Sequence, residues 1–263
     1  MHRRARDAAG RHRSARHAIP EARGFQTSYE VGWSIGLALW IVSLAVPTPA
    51  RYALWAMAVA VEVTTPLATM LETRTLPLVS SHIAERFGLF TIIVLGESVV
   101  SVAAGIAKID FELASSLVAV GSFVVAALVW WLYFDCVTTA HAVSARYTYL
   151  HFGVYAGLGT VAPGALLAIQ AADDATLPAG ARAALCGGIA VFLPALCFIE
   201  LTGRPPQAAQ RRAAARAAAA LAVLALAFAG AVLTPVATVG LLVALLLAEL
   251  AFELVTLRRS SPA

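Results

Sequence analysis

The chain has 263 residues, of which 60% are hydrophobic and 13% charged, and its mean hydropathy is +0.80. A water-soluble domain of this length folds with far less apolar sequence, so the composition excludes an ordinary soluble globular protein. The net charge of +4 and pI near 9.3 do not point to nucleic acid, because the basic residues collect in one tail and at the ends of apolar runs, as in membrane proteins.

Residues 1–28 form a basic tail with Arg3, Arg4, Arg6, Arg11, Arg13, Arg16 and Arg23, and with His2, His12 and His17. It reads as a disordered cytoplasmic tail rather than a cleaved leader, since many further apolar spans follow. Eight spans are expected, at approximately 29–46, 51–71, 83–107, 112–140, 146–171, 181–201, 212–233 and 236–257. Each is long enough to cross a hydrocarbon layer as a helix. The expected fold is therefore all-α, a polytopic transmembrane helix bundle of about eight spans, with one domain over 29–257 and a short tail at 258–263. Short links such as Pro47–Ala50 and Lys108–Phe111 make consecutive helices antiparallel neighbours.

Alternating the loops between two sides places sixteen of the 19 basic residues on the side of the N-terminal tail. Arg204, Arg211, Arg212 and Arg216 are among them, and only Arg51, Lys108 and Arg182 fall opposite. The positive-inside rule then puts both termini in the cytoplasm. Cys136, Cys186 and Cys197 all lie in apolar runs, an odd number that gives neither a disulfide framework nor metal spacing.

Polar groups inside the spans are the candidate functional residues. Arg86 and Glu97 are eleven residues apart in the third span, about 16 Å along a helix, which sets the acid near the middle of the membrane. Glu62 lies equally far from Arg51 in the second span. An acid at that depth is costly and reads as functional. Pro66 has no N–H, so it deprives the Glu62 carbonyl of its helical donor. Thr65 shares the face of Glu62, and Ser101 that of Glu97. Glu62, Thr65, Glu97 and Ser101 are therefore the expected site for a proton or small cation. The bland alternative is two carboxyls that share a proton and only fix helix packing.

Asp135 near the end of the fourth span joins that site or faces headgroups. Tyr147, His151 and Tyr155 follow each other at i, i+4 spacing in the fifth span and read as an interfacial aromatic belt. Gly153 and Gly157 form a GxxxG close-packing signal. Pro66, Pro163 and Pro194 are expected to kink or break their helices. Glu249 and Glu253 share one face of the last span and line the interior or a subunit contact, so an oligomer is open. His82, Glu85 and Arg86 form a charged cluster at the start of the third span, suited to gating or orienting the cytoplasmic end. No metal site is expected there, because no second histidine of an HExxH type follows His82.

The stretch HIAERFGLFTIIVLGESVVSV, His82 to Val102, resembles the signature of the bacterial low temperature requirement protein A family. ERFGLFTIIVLGES (Glu85 to Ser98) is its most specific part, and weaker similarity takes in Trp40 and Arg51 to Leu67 within residues 30–255. The resemblance implies a multi-pass bacterial inner-membrane protein without an established biochemical activity. It lays emphasis on His82, Glu85, Arg86, Phe87, Gly88, Gly96, Glu97 and Ser98. Family members are usually longer, with further N-terminal membrane helices where this chain has a basic tail. No HExxH, GxSxG or phosphate-binding loop occurs, so neither an enzyme nor a cofactor is expected. The expectation is a proton- or cation-linked transporter or permeation protein in the lipid bilayer; the alternative is a membrane scaffold or sensor.

Overall fold

The structure, a computed structural model, describes residues 20–72, 80–107, 112–139, 145–202 and 207–260. These residues form eight α-helices: α1 (Pro20–Leu44), α2 (Ala50–Glu72), α3 (Ser80–Ile106), α4 (Leu113–Thr139), α5 (Ala145–Gln170), α6 (Ala179–Glu200), α7 (Gln207–Ala229) and α8 (Pro235–Ser260). A single 3-10 turn, Gly230–Val232, joins the last two. The all-α fold expected from the apolar runs is what the described residues adopt. The first helix begins nine residues before its apolar run, since polar residues extend it past the expected start at 29. The last reaches Ser260, into the expected tail. Pro66, Pro163 and Pro194 all lie inside helices that continue through them. Thr64 and Thr65 hydroxyls donate to the Ala60 and Val61 carbonyls just ahead of Pro66.

The chain divides into two compact units, Met1–Leu78 and Val79–Ala263. In the first, α1 and α2 form a hairpin. Gly32 and Gly36 let the helices approach: a Cβ on Gly32 would fall 2.1 Å from Thr65 Oγ1, and one on Gly36 3.0 Å from Glu62 Cγ.

The second unit is a six-helix bundle, α3 to α8, and all six are long and apolar enough to cross a membrane. Its core is built from Leu132, Leu158, Phe192, Leu196, Leu242 and Leu246, all fully or almost fully buried. Large apolar side chains also point outward: Ile93 is 68%, Leu221 67% and Phe228 75% exposed. Water would penalise such a surface and lipid does not, so these faces contact the bilayer.

The α5–α6 pair is the most extensive contact of the bundle, and the GxxxG spacing of Gly153 and Gly157 lies in it. A Cβ on Gly157 would sit 2.6 Å from the Gly188 carbonyl oxygen and 2.9 Å from the Phe192 nitrogen. Backbone meets backbone there, as small residues permit in membranes.

This packing makes a sign-divergent prediction. Gly157→Ala forces two backbones apart and is expected to destabilise the bundle by about 1–3 kcal/mol. Gly159→Ala and Gly187→Ala, whose new methyls meet nothing within 4 Å, should gain up to about 1 kcal/mol from helix propensity. Thermal unfolding in one detergent compares them; equal midpoints for all three would refute the close-approach role.

Candidate functional site

Five charged residues meet where α6 ends, α7 begins and α8 nears its end. Glu200 is the last residue of α6. Arg212 and Arg216 are one helical turn apart on α7, and Glu249 and Glu253 one turn apart on α8, so each pair shares a face. Arg212 Nε donates to Glu200 Oε1 at 2.7 Å, and its Nη2 pairs with the same oxygen. Arg216 uses Nη1 on Glu200 Oε2 and Nη2 on Glu253 Oε1. The result is a chain, Arg212–Glu200–Arg216–Glu253, that ties three helices together.

Burial makes this chain consequential. The side chains of Arg212, Arg216, Glu200 and Glu253 are 7%, 1%, 3% and 0% exposed. Arg216 is the largest fully buried side chain among the described residues. It lies nine residues into α7, about 14 Å from the helix start. Glu249 is also buried and lies within electrostatic reach of Glu253, Arg216 and Glu200. Three carboxyls thus face two guanidiniums, and Asp135 of α4 adds its charge near Glu253. In a low-dielectric interior unmatched charge is expensive, so the carboxyl left without a guanidinium is the costly member of the set.

A second buried polar group stands among α3, α4 and α5. His151 is fully buried, with Nδ1 2.8 Å from the Tyr147 carbonyl and Nε2 3.1 Å from Tyr133 Oη. A carbonyl only accepts, so Nδ1 carries the proton and Nε2 of the neutral ring accepts from Tyr133. Phe87 and Tyr147 lie against the imidazole with centroids at 4.4 Å. Tyr155 Oη donates to the Phe87 carbonyl at 2.9 Å. Tyr147, His151 and Tyr155 therefore form an internal lock rather than the interfacial belt expected from sequence; the i, i+4 stripe faces protein because α3 and α4 cover it.

The sequence-predicted residues distribute as follows. Glu62 and Thr65 belong to the first unit and Glu97 and Ser101 to the second. Glu62 is half-buried against Gly36 and accepts from Trp40 Nε1 at 2.8 Å. Glu97 lies on an exposed face of α3. Ser101, one turn on from Glu97, is buried with Ser98, Val102 and Gly105, at the edge where the inward stripe of that helix meets the exposed side of Glu97. Glu85 and Arg86 are exposed and Asp135 is half-buried. The His82 side chain lies outside the described residues. The signature stretch thus has two faces: Gly88 and Ser98 turn inward with Phe87 half-buried beside them, and Glu85, Arg86, Gly96 and Glu97 turn outward.

Sequence reasoning missed the Arg212–Glu200–Arg216–Glu253 chain. It counted both arginines as loop charges that set orientation, whereas both are used in buried ion pairs. The available signal was the matched i, i+4 spacing of two arginines in one helix start and two glutamates near another helix end. A family model described as Bacterial low temperature requirement A protein (LtrA) matches residues 4–251. That match reaches further towards the N-terminus than the residues that carried the resemblance. No curated protein and no solved structure matches the chain.

The chain of pairs predicts unequal losses. Arg216→Met strips Glu200 of one partner and Glu253 of its guanidinium, which should destabilise the bundle by about 3–5 kcal/mol. Arg212→Met leaves Glu200 paired with Arg216 and should lose distinctly less. Thermal unfolding at matched detergent reads the difference; equal losses would show that Arg216 is not the central link.

Proposed function

This chain belongs to the bacterial low temperature requirement A family, and we propose that it is a membrane transporter or permeation protein moving a proton or small cation past carboxyls held inside the bilayer. The observation that carries this reading is the excess of buried acids over arginines among Glu200, Glu249, Glu253, Arg212 and Arg216. A set of charges meant only to hold helices is best balanced; a surplus acid gives an ion a place to rest. Arg216 is the moving part in this reading, because one guanidinium serves carboxylates on two different helices. A change of charge beside it alters which helix α7 is tied to, and so links occupancy to packing.

We read both termini as cytoplasmic from the arginine bias, which persists when the buried Arg212 and Arg216 are left out of it. With that orientation the network lies in the cytoplasmic half of the bundle, where α4, α6 and α8 all end. No covalent chemistry is assigned to the chain. Glu62, in the first unit, and Glu97, on the outward face of α3, are separate acids that this reading does not use.

One observation favours a second reading, a membrane scaffold or sensor. Glu200 has both oxygens paired to guanidiniums, the arrangement of a structural clamp. Proteoliposomes with an imposed pH or cation gradient separate the two readings. Glu253→Gln should lower flux at least about tenfold, a barrier change of roughly 1.4 kcal/mol, and Glu62→Gln and Glu97→Gln test the other acids. Wild-type flux no greater than that of empty liposomes, with only the unfolding midpoint changed in Glu253→Gln, would favour the scaffold.

A further inference from the structure

We infer that Glu249 is a proton-binding site, and that the ligand of the buried network is a proton rather than a metal cation. This rests on the proposed ion-linked reading only for its use in transport; the binding itself is argued from the geometry. The carboxyls of the network differ in what they already hold. Glu200 has Arg212 and Arg216, and Glu253 has Arg216. Glu249 is 4% exposed, and among the described residues no hydrogen-bond donor reaches its buried Oε1. It is the acid that the two guanidiniums leave over.

The groups facing it leave little choice of occupant. From its own helix comes Glu253, from α6 Glu200 and Cys197, from α7 Arg216 with Arg212 behind it, and from α4 Asp135 beside Glu253. The Cys197 thiol points elsewhere, donating to the Ala213 carbonyl at 3.3 Å. Two fixed positive charges therefore stand against four carboxyls. A metal ion needs several free oxygen ligands and room for itself, and here it would sit beside a guanidinium that repels it. Leu246 and Leu250 flank Glu249 on the packed side of α8. A proton adds no volume and removes one negative charge.

A carboxylate oxygen of Glu249 takes a proton from a hydronium ion: one hydronium O–H bond breaks, the carboxyl O–H bond forms, a water molecule leaves, and the site's charge rises by one. With that proton in place, Glu249 no longer competes with Glu200 and Glu253 for Arg216. Without it, a third carboxylate competes for the same guanidinium, and the tie between α6 and α8 through α7 weakens. Proton occupancy at Glu249 thereby sets the grip of Arg216.

Infrared difference spectroscopy of the full chain in phosphatidylcholine vesicles, stepped in pH, tests this. Wild type should show the C=O band of a protonated carboxylic acid that titrates, and the band should be absent in Glu249→Gln. Glu249→Asp, which keeps the carboxyl, should retain a titrating band at shifted frequency, so a misfolded Gln variant does not end the test. Sodium or calcium ions added at fixed pH should leave the wild-type band in place; its removal would overturn the proton assignment in favour of a cation. A band unchanged in Glu249→Gln would also overturn it, and if flux is lost in that variant the transport reading would still stand. A band lost in Glu249→Gln with no flux in wild type would keep the proton site and remove transport.

Discussion

A charge carried into a membrane-spanning bundle must meet its opposite there, because neither lipid nor packed protein supplies the solvation it gave up. Arg216 satisfies that constraint twice, towards Glu200 on α6 and towards Glu253 on α8. The position of α7 follows from it. This helix is rich in alanine and offers few large side chains to grip its neighbours. Ion pairs near its start, and Ala220, Val223 and Leu226 further along, hold it instead. The arrangement is specific in depth as well as in partner, since sliding α7 by one turn would put Arg212 where Arg216 stands and leave a carboxylate unmatched.

The other half of the second unit is held by different means. Along α5, Gly157 and Gly164 bring the backbone against α6. On the opposite side, His151 and its ring of Tyr133, Tyr147 and Phe87 join α5 to α3 and α4. The signature stretch of α3 contributes to this directly, through the ring and carbonyl of Phe87. Its acids do not: Glu85 and Glu97 lie on the exposed side of the helix. Within the signature, the side facing the core makes packing contacts and the side facing outward carries charge.

The number, class and approximate limits of the helices were legible in the sequence because an apolar run of about 20 residues can cross a membrane only as a helix. Close packing at Gly157 was legible from its spacing. The same spacing at Gly32 and Gly36 shapes the seat of Glu62. The charged network was not legible, since it needs three helices to be brought together. Arg212 and Arg216 look like loop charges when read along the chain, and Glu200 looks like the end of a span. Likewise, the stripe of Tyr147, His151 and Tyr155 fits a membrane interface or an interior equally well until its neighbours are known. Periodicity says which residues share a face; it does not say what that face meets.

The hold on α7 turns on the direct pairing of Arg216 with Glu253 of α8. A double-mutant cycle on unfolding free energy, with Arg216→Met, Glu253→Gln and the two combined, measures that pairing most directly. Residues in contact within one ion-pair network should couple by about 0.5–3 kcal/mol, so the double variant loses clearly less than the sum of the singles. Strictly additive losses would mean that the two side chains do not meet, and the network described here would be contradicted.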